Sequence, residues 1–150
     1  MKVRILCSLV FSALLVASFA CDDEEKIASV EGSWQGAKAE GEVLVFGVPS
    51  GFEEEDETFS PILEFKKGGV VTLTQGGVPT DGTWSQDGEK LTTSLHFDTN
   101  FIDLSGSYTI QTLTDSKLVL YYEKDGTYQD PDTGIQIEGT LKATLTFNKK

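Results

Sequence analysis

Basic side chains are scarce in this chain. Against 24 Asp and Glu it carries 12 Lys and Arg, for a net charge of -12. Phosphate backbones are held by basic faces, so nucleic acid is excluded as a partner, and direct docking onto anionic headgroups is disfavoured. Histidine is limited to His96, arginine to Arg4, methionine to Met1 and cysteine to Cys7 and Cys21. A zinc site takes several His or Cys ligands, which these residues do not supply. Nucleophilic catalysis by a Ser/His/Asp or Cys/His set would have to use His96. Leu95-His96-Phe97 carries no nucleophile motif, so His96 reads as a surface or strand-edge histidine. No cofactor motif is present, and the chain reads as noncatalytic. Paired carboxylates for glycoside hydrolysis have no distinguished candidate among so many acids.

Long apolar runs are also missing, with one exception at the start. Met1–Arg4 is basic, and Ile5 to Ala20 is apolar or small throughout. That run falls short of the roughly 20 residues that span a bilayer. A basic start, a short apolar core and a small residue before a cut describe a secretory signal peptide over residues 1–20. Its removal takes Cys7 with it and leaves Cys21 alone, without an internal disulfide partner. It also takes two of the 12 basic residues and none of the 24 acidic ones, which leaves a net charge of -14. Ala17-Ser18-Phe19-Ala20-Cys21 resembles a bacterial lipobox, with Cys21 as the acylated residue. Each buried methylene contributes about 0.8 kcal/mol, so two or three acyl chains hold a protein firmly on its membrane. Residues 21–30 read as the lipidated cysteine and an acidic tether. The run Asp22-Asp23-Glu24-Glu25 resembles the acidic signal that sends some lipoproteins of the Bacteroidetes to the cell surface. The expected location is the outer membrane, on its periplasmic or its outer face.

From residue 31 to 150 the texture is uniform, and one domain is expected. Short runs rich in Thr, Val, Leu and aromatics alternate with Gly, Asp and Pro, the signature of regularly spaced antiparallel strands. Strand-like stretches include Gly41–Phe46, Ile62–Lys66, Val70–Thr74, Asp81–Ser85, Lys90–Leu95, Ser107–Ile110 and Lys117–Tyr122. Asp125-Gly126 predicts a type I′ hairpin, whose central residues need positive φ. In the last strand Ile135, Ile137, Gly139, Leu141, Ala143, Leu145 and Phe147 share one parity, with polar residues between them. Alternate residues of a strand face opposite sides, so this strand has an inner and an outer face. Gly139 on the inner parity predicts a bend or bulge. About eight strands are expected, a number that closes into a small barrel.

Several short motifs carry a resemblance. Gly32-Ser33-Trp34 is similar to the Gly-x-Trp motif of lipocalins, and Gly82-Thr83-Trp84 repeats it. Tyr108-x-Ile110 followed by Leu113–Leu120, and the final Leu145-x-Phe147, resemble segments of lipocalin-like lipoproteins of the Bacteroidetes. The resemblance implies an all-β, antiparallel up-and-down meander closing into a lipocalin-like barrel. It also implies an apolar interior for a small ligand. Many lipocalins place an arginine of the last strand over the tryptophan, and here Lys142 or Lys149 is available to stand over Trp34. The first lipocalin loop lids the barrel mouth. In this chain that loop is expected over Pro49–Pro61, with the acidic run Glu53–Glu57 either solvated or acting as a carboxylate lid.

Trp34, Phe65, Trp84, Tyr108 and Tyr122 are the candidate pocket residues, with the tyrosines favoured because a buried phenol needs a polar partner. Asp125-Gly126 and Asp130–Gly134 lack the full oxygen set of a calcium loop and read as turn formers. Two roles stay open. One is a lipid-anchored, noncatalytic module that accepts a small apolar ligand in its barrel. The other is a structural scaffold with a filled interior that meets another surface protein.

Overall fold

The computed structural model describes residues 28–98, 103–129 and 134–150. The expected signal peptide, Cys21 and most of the expected tether lie outside the described residues, as does most of the Asp130–Gly134 segment. The described chain forms nine strands and no helix: β1 (Gly32–Val45), β2 (Val48–Asp56), β3 (Ile62–Lys66), β4 (Val70–Gln75), β5 (Val78–Asp87), β6 (Lys90–Asp98), β7 (Asp103–Leu113), β8 (Lys117–Gln129) and β9 (Gln136–Lys149). Neighbours in sequence are neighbours in space from β3 to β9, every pairing is antiparallel, and β9 returns to β1. The sheet is thus a closed up-and-down barrel, which leaves no open sheet edge around most of its girth.

Nine strands make eight staves. β3 pairs with Gly32–Gln35 of β1, and β2 pairs with Ala39–Val45 on the same side of β1. The two run in the same direction and act as one strand interrupted at residues 57–61. The interruption turns Phe59 and Pro61 inward, where both are buried. Gly36 makes room for them: a Cβ there would lie 2.6 Å from the Pro61 ring, and its N–H donates to the Pro61 carbonyl at 2.7 Å. Opposite, β1 shifts register against β9 between Gly36 and Lys38.

The expected loop over Pro49–Pro61 is therefore mostly strand. Residues 48–56 fold back along β1 because Phe46-Gly47 turn the chain in two residues, with Val45 opposite Val48. The Asp125-Gly126 hairpin is also overturned. Both residues lie inside β8, paired with Thr140 and Gly139 of β9, and Gly126 does not take a positive φ. Asp125 accepts the Thr140 hydroxyl at 2.6 Å, a cross-strand bond that a turn would forfeit. At Gly139 the β8–β9 ladder runs through without a register shift. The glycine serves a close approach instead, since a Cβ would collide with the Leu44 carbonyl of β1.

The periodicity of the last strand holds where it matters. Leu141, Ala143, Leu145 and Phe147 are buried, Ile137 is half-buried, and Ile135 lies just before β9 and is exposed. They join Leu118, Leu120 and Tyr122 of β8, Leu91, Leu95 and Phe97 of β6 and Val71 and Leu73 of β4 in one core. Transfer of such side chains from water, at about 25 cal/mol per Å² of apolar surface, is the main force closing the barrel.

Candidate functional site

One end of the barrel is sealed. At the sealed end, residues 28–31 cross beneath the strands before β1 begins. Val30 is fully buried, and its N–H donates to Gln86 Oε1 at 3.1 Å while Gln86 Nε2 donates to the Ala28 carbonyl at 2.9 Å. Trp34 lies directly above, donating its indole N–H to the Val30 carbonyl at 2.7 Å. Lys149, not Lys142, stands over the Trp34 ring, with Nζ 4.1 Å from the ring centroid, and donates to the Glu31 carbonyl at 2.9 Å. β9 delivers it there because Lys149 is the register partner of Trp34, whereas Lys142 pairs with Glu42 halfway up the wall.

Above this floor, aromatic rings cross the interior. Phe59, from the interrupted stave, meets Phe147 of β9 at 5.5 Å between centroids. Phe147 meets Phe97 of β6 at 6.1 Å, Phe97 meets Tyr108 of β7 at 5.7 Å, and Tyr108 meets Tyr122 of β8 at 5.6 Å. The Phe59–Phe147 and Phe97–Tyr108 contacts are edge-on, the arrangement that the ring quadrupole favours. Phe65 and Trp84 form a separate edge-on pair at 5.4 Å, and the Trp84 indole donates to the Lys66 carbonyl at 3.0 Å. The five pocket candidates are thus brought into three places. Trp34 is in the floor, Phe65 and Trp84 stack on the β3–β5 side, and Tyr108 and Tyr122 belong to the chain of rings. Trp84 borders a surface depression near the floor with Gly68, Gly69 and Gln86.

The wall itself has a seam. β5 and β6 pair only from Trp84↔Thr93 to Asp87↔Lys90, although β5 reaches up to Val78 and β6 to Asp98. The ladder ends because Thr93 turns its hydroxyl to the Leu95 N–H at 2.8 Å, and β6 shifts register against β7 between Thr92 and His96. The Thr83 N–H is met by Ser94 Oγ at 2.9 Å in place of a backbone carbonyl. Leu95 then leans across to β5: a Cβ on Gly82 would lie 2.8 Å from both its Cδ2 and Ser94 Oγ. The second Gly-x-Trp segment thus owes its glycine to this crossing. Above Leu95 the staves diverge around a depression of about 370 Å³, lined by Leu73, Val78, Thr80, Asp81, Leu95 and His96, among others.

Asp81, Ser94 and His96 all border this depression. Nothing in their sequence spacing announces the meeting, which is made by the β5–β6 hairpin. Ser94 Oγ is occupied as the acceptor of Thr83, and Asp81 Oδ1 accepts the Thr72 hydroxyl at 2.6 Å. The trio reads as a polar rim over an apolar floor made by Leu73 and Leu95.

A second depression, about 470 Å³, lies on the outer wall, bordered by Glu40, Glu42, Glu55, Tyr121 and Lys142. Lys38 bridges Glu40 at 2.9 Å and Glu55 at 2.5 Å, and these bonds raise its pKa. Tyr121 donates to Glu123 Oε2 at 2.5 Å. Burial, then that bond and the charges of Glu123 and Glu42, push its phenol up to about 12 from 10.0. The neutral phenol is favoured in the fold, so its contribution is complete below pH 10 and is lost as pH rises to about 12. Tyr121→Phe is expected to flatten the fall in stability over that window. Denaturant titrations from pH 9 to 12 measure it, and an unchanged fall in the variant contradicts the assignment.

Among the described residues no three His, Cys, Asp or Glu side chains are grouped to hold a metal ion. Comparison of the chain with protein-family models, curated proteins and solved structures yields no match.

Proposed function

We propose that the protein is a lipid-anchored, noncatalytic module of lipocalin-like type that takes a small, largely apolar molecule at the seam between β5 and β6. The anchor is Cys21, exposed by removal of residues 1–20, and the location is the outer membrane. The observation that carries the binding reading is the early end of the β5–β6 ladder, which leaves Leu73 and Leu95 as the floor of an opening in the wall. An opening of about 370 Å³ suits a small ligand, with apolar contact below and a few polar groups fixing orientation. The chain of rings across the axis favours the seam over the axis as the place of binding. Six residues lie between Cys21 and Ala28 at the floor, seven residue steps with a reach of at most about 25 Å. The anchored barrel therefore turns its floor to the membrane, and its mouth and seam away from it.

The neutral probe N-phenyl-1-naphthylamine tests the site. It is expected to bind the wild type saturably. Val78→Asp, at an exposed rim position, and Leu95→Trp, which fills the opening, are each expected to weaken it by about tenfold, or 1.4 kcal/mol. Val78→Asp leaves the core untouched, so it separates loss of binding from loss of fold. Absence of saturable binding to the wild type would sink the seam and favour the second reading, a filled display scaffold, which the chain of rings supports. Mass spectrometry of the processed N-terminus tests the anchor separately: an unmodified Cys21 refutes it.

A further inference from the structure

The β1–β2 hairpin combines a strained tip, an exposed aromatic ring and an acidic stem. Its two-residue loop, Phe46-Gly47, takes φ of 51° and 77°, the type I′ pattern. That pattern favours Asn-Gly or Gly-Gly, as in the Gly76-Gly77 turn of β4–β5 with φ of 58° and 82°. Phe46 is the one non-glycine residue with positive φ among the described residues. Its ring is also fully exposed, at 101%, and Val48 beside it is 64% exposed. Below the tip the stem is acidic: Glu40 is the register partner of Glu55, with Lys38 bridging the two, and Glu42 pairs with Lys142 on its β9 side. Departures from local preference that gather in one element mark function more often than accident.

We propose that this hairpin is a docking finger for a protein partner: Phe46 enters an apolar pocket on the partner, and the acidic stem meets a rim of Lys and Arg around it. Charge complementarity selects this occupant. Anionic bilayers repel an acidic stem, and a second copy of this chain brings the same acids to the contact. An exposed aromatic anchor flanked by charge is the composition of an interface centre with its rim. The hairpin tip lies at the end of the barrel opposite residues 28–31, so an anchored chain presents it outward. That orientation rests on the anchor proposed above; the finger does not depend on the seam.

The test replaces Phe46 by the photo-crosslinker p-benzoylphenylalanine in the full chain, expressed in its host. The substitution keeps an aromatic side chain on an exposed site, so the fold is retained. The expected product is a protein adduct whose crosslinked peptide carries apolar residues flanked by Lys or Arg. The same crosslinker at Asp87, exposed at the floor end, is expected to give no such adduct. Glu42→Lys is expected to lower the yield by about tenfold, through its effect on encounter. Val78→Asp must leave the yield unchanged, which separates this site from the seam. An adduct with phospholipid, with a second copy of the chain or with an acidic segment overturns the proposal, as does equal yield from position 87 or no adduct at all.

Discussion

Phe147→Ala is expected to lower the stability of the folded domain by about 3–5 kcal/mol, within the range for truncating a buried aromatic. Phe147 is fully buried and touches Phe59 on one side and Phe97 on the other. It therefore joins the interrupted stave to β6 across the barrel. Alanine would break the chain of rings next to its Phe59 end and leave a hole that the surrounding staves, fixed by closure, cannot collapse into. In thermal unfolding the loss corresponds to roughly 10–20 °C for a domain of this size. A shift in the urea midpoint at unchanged slope would assign it to the folded state. A loss below about 1 kcal/mol would mean that the axis is not packed as described.

Trp34→Ala is expected to rival it, at about 3–5 kcal/mol, and to act on the floor in particular. Trp34 supplies the hydrogen bond that holds the Val30 carbonyl and the ring on which Lys149 rests. Without it, residues 28–31 keep only their bonds to Gln86 and Lys149. Hydrogen exchange at the Val30 amide is expected to accelerate well beyond the change in the core strands. Lys149→Met keeps the aliphatic cover but loses both the charge over the ring and the bond to the Glu31 carbonyl, so its effect is expected near about 1–2 kcal/mol. If the two variants destabilise equally, the floor is held by the cation and not by the indole.

The fold was legible where one face of a strand is buried. The alternation from Ile137 to Phe147 placed β9, and the strand-like stretches Ile62–Lys66, Val70–Thr74 and Lys90–Leu95 fall within β3, β4 and β6. The Gly32-Ser33-Trp34 segment led to the floor and to a lysine over the ring. Turn chemistry misled in two places. Asp125-Gly126 has the composition of a hairpin loop, yet a full ladder with β9 outweighs that preference. Phe46-Gly47 has the composition of a strand end, yet it turns. The acidic run of residues 53–57 looked like loop because its charge hides the period of β2. The seam was not legible at all. It arises from one hydroxyl, Thr93, taking a backbone N–H locally, and from a leucine crossing to a glycine on the next stave. Such tertiary events leave only a trace in the chain, here the glycine of Gly82-Thr83-Trp84.

That seam has a mechanical side. A ring of strands joined all the way round has no natural place to begin coming apart. Here the join between β5 and β6 is already unzipped for half its height and is held by a serine hydroxyl and the bulk of one leucine. The hoop is thinly joined on that flank, and thermal motion can prise it wider there while the indole-capped base stays shut.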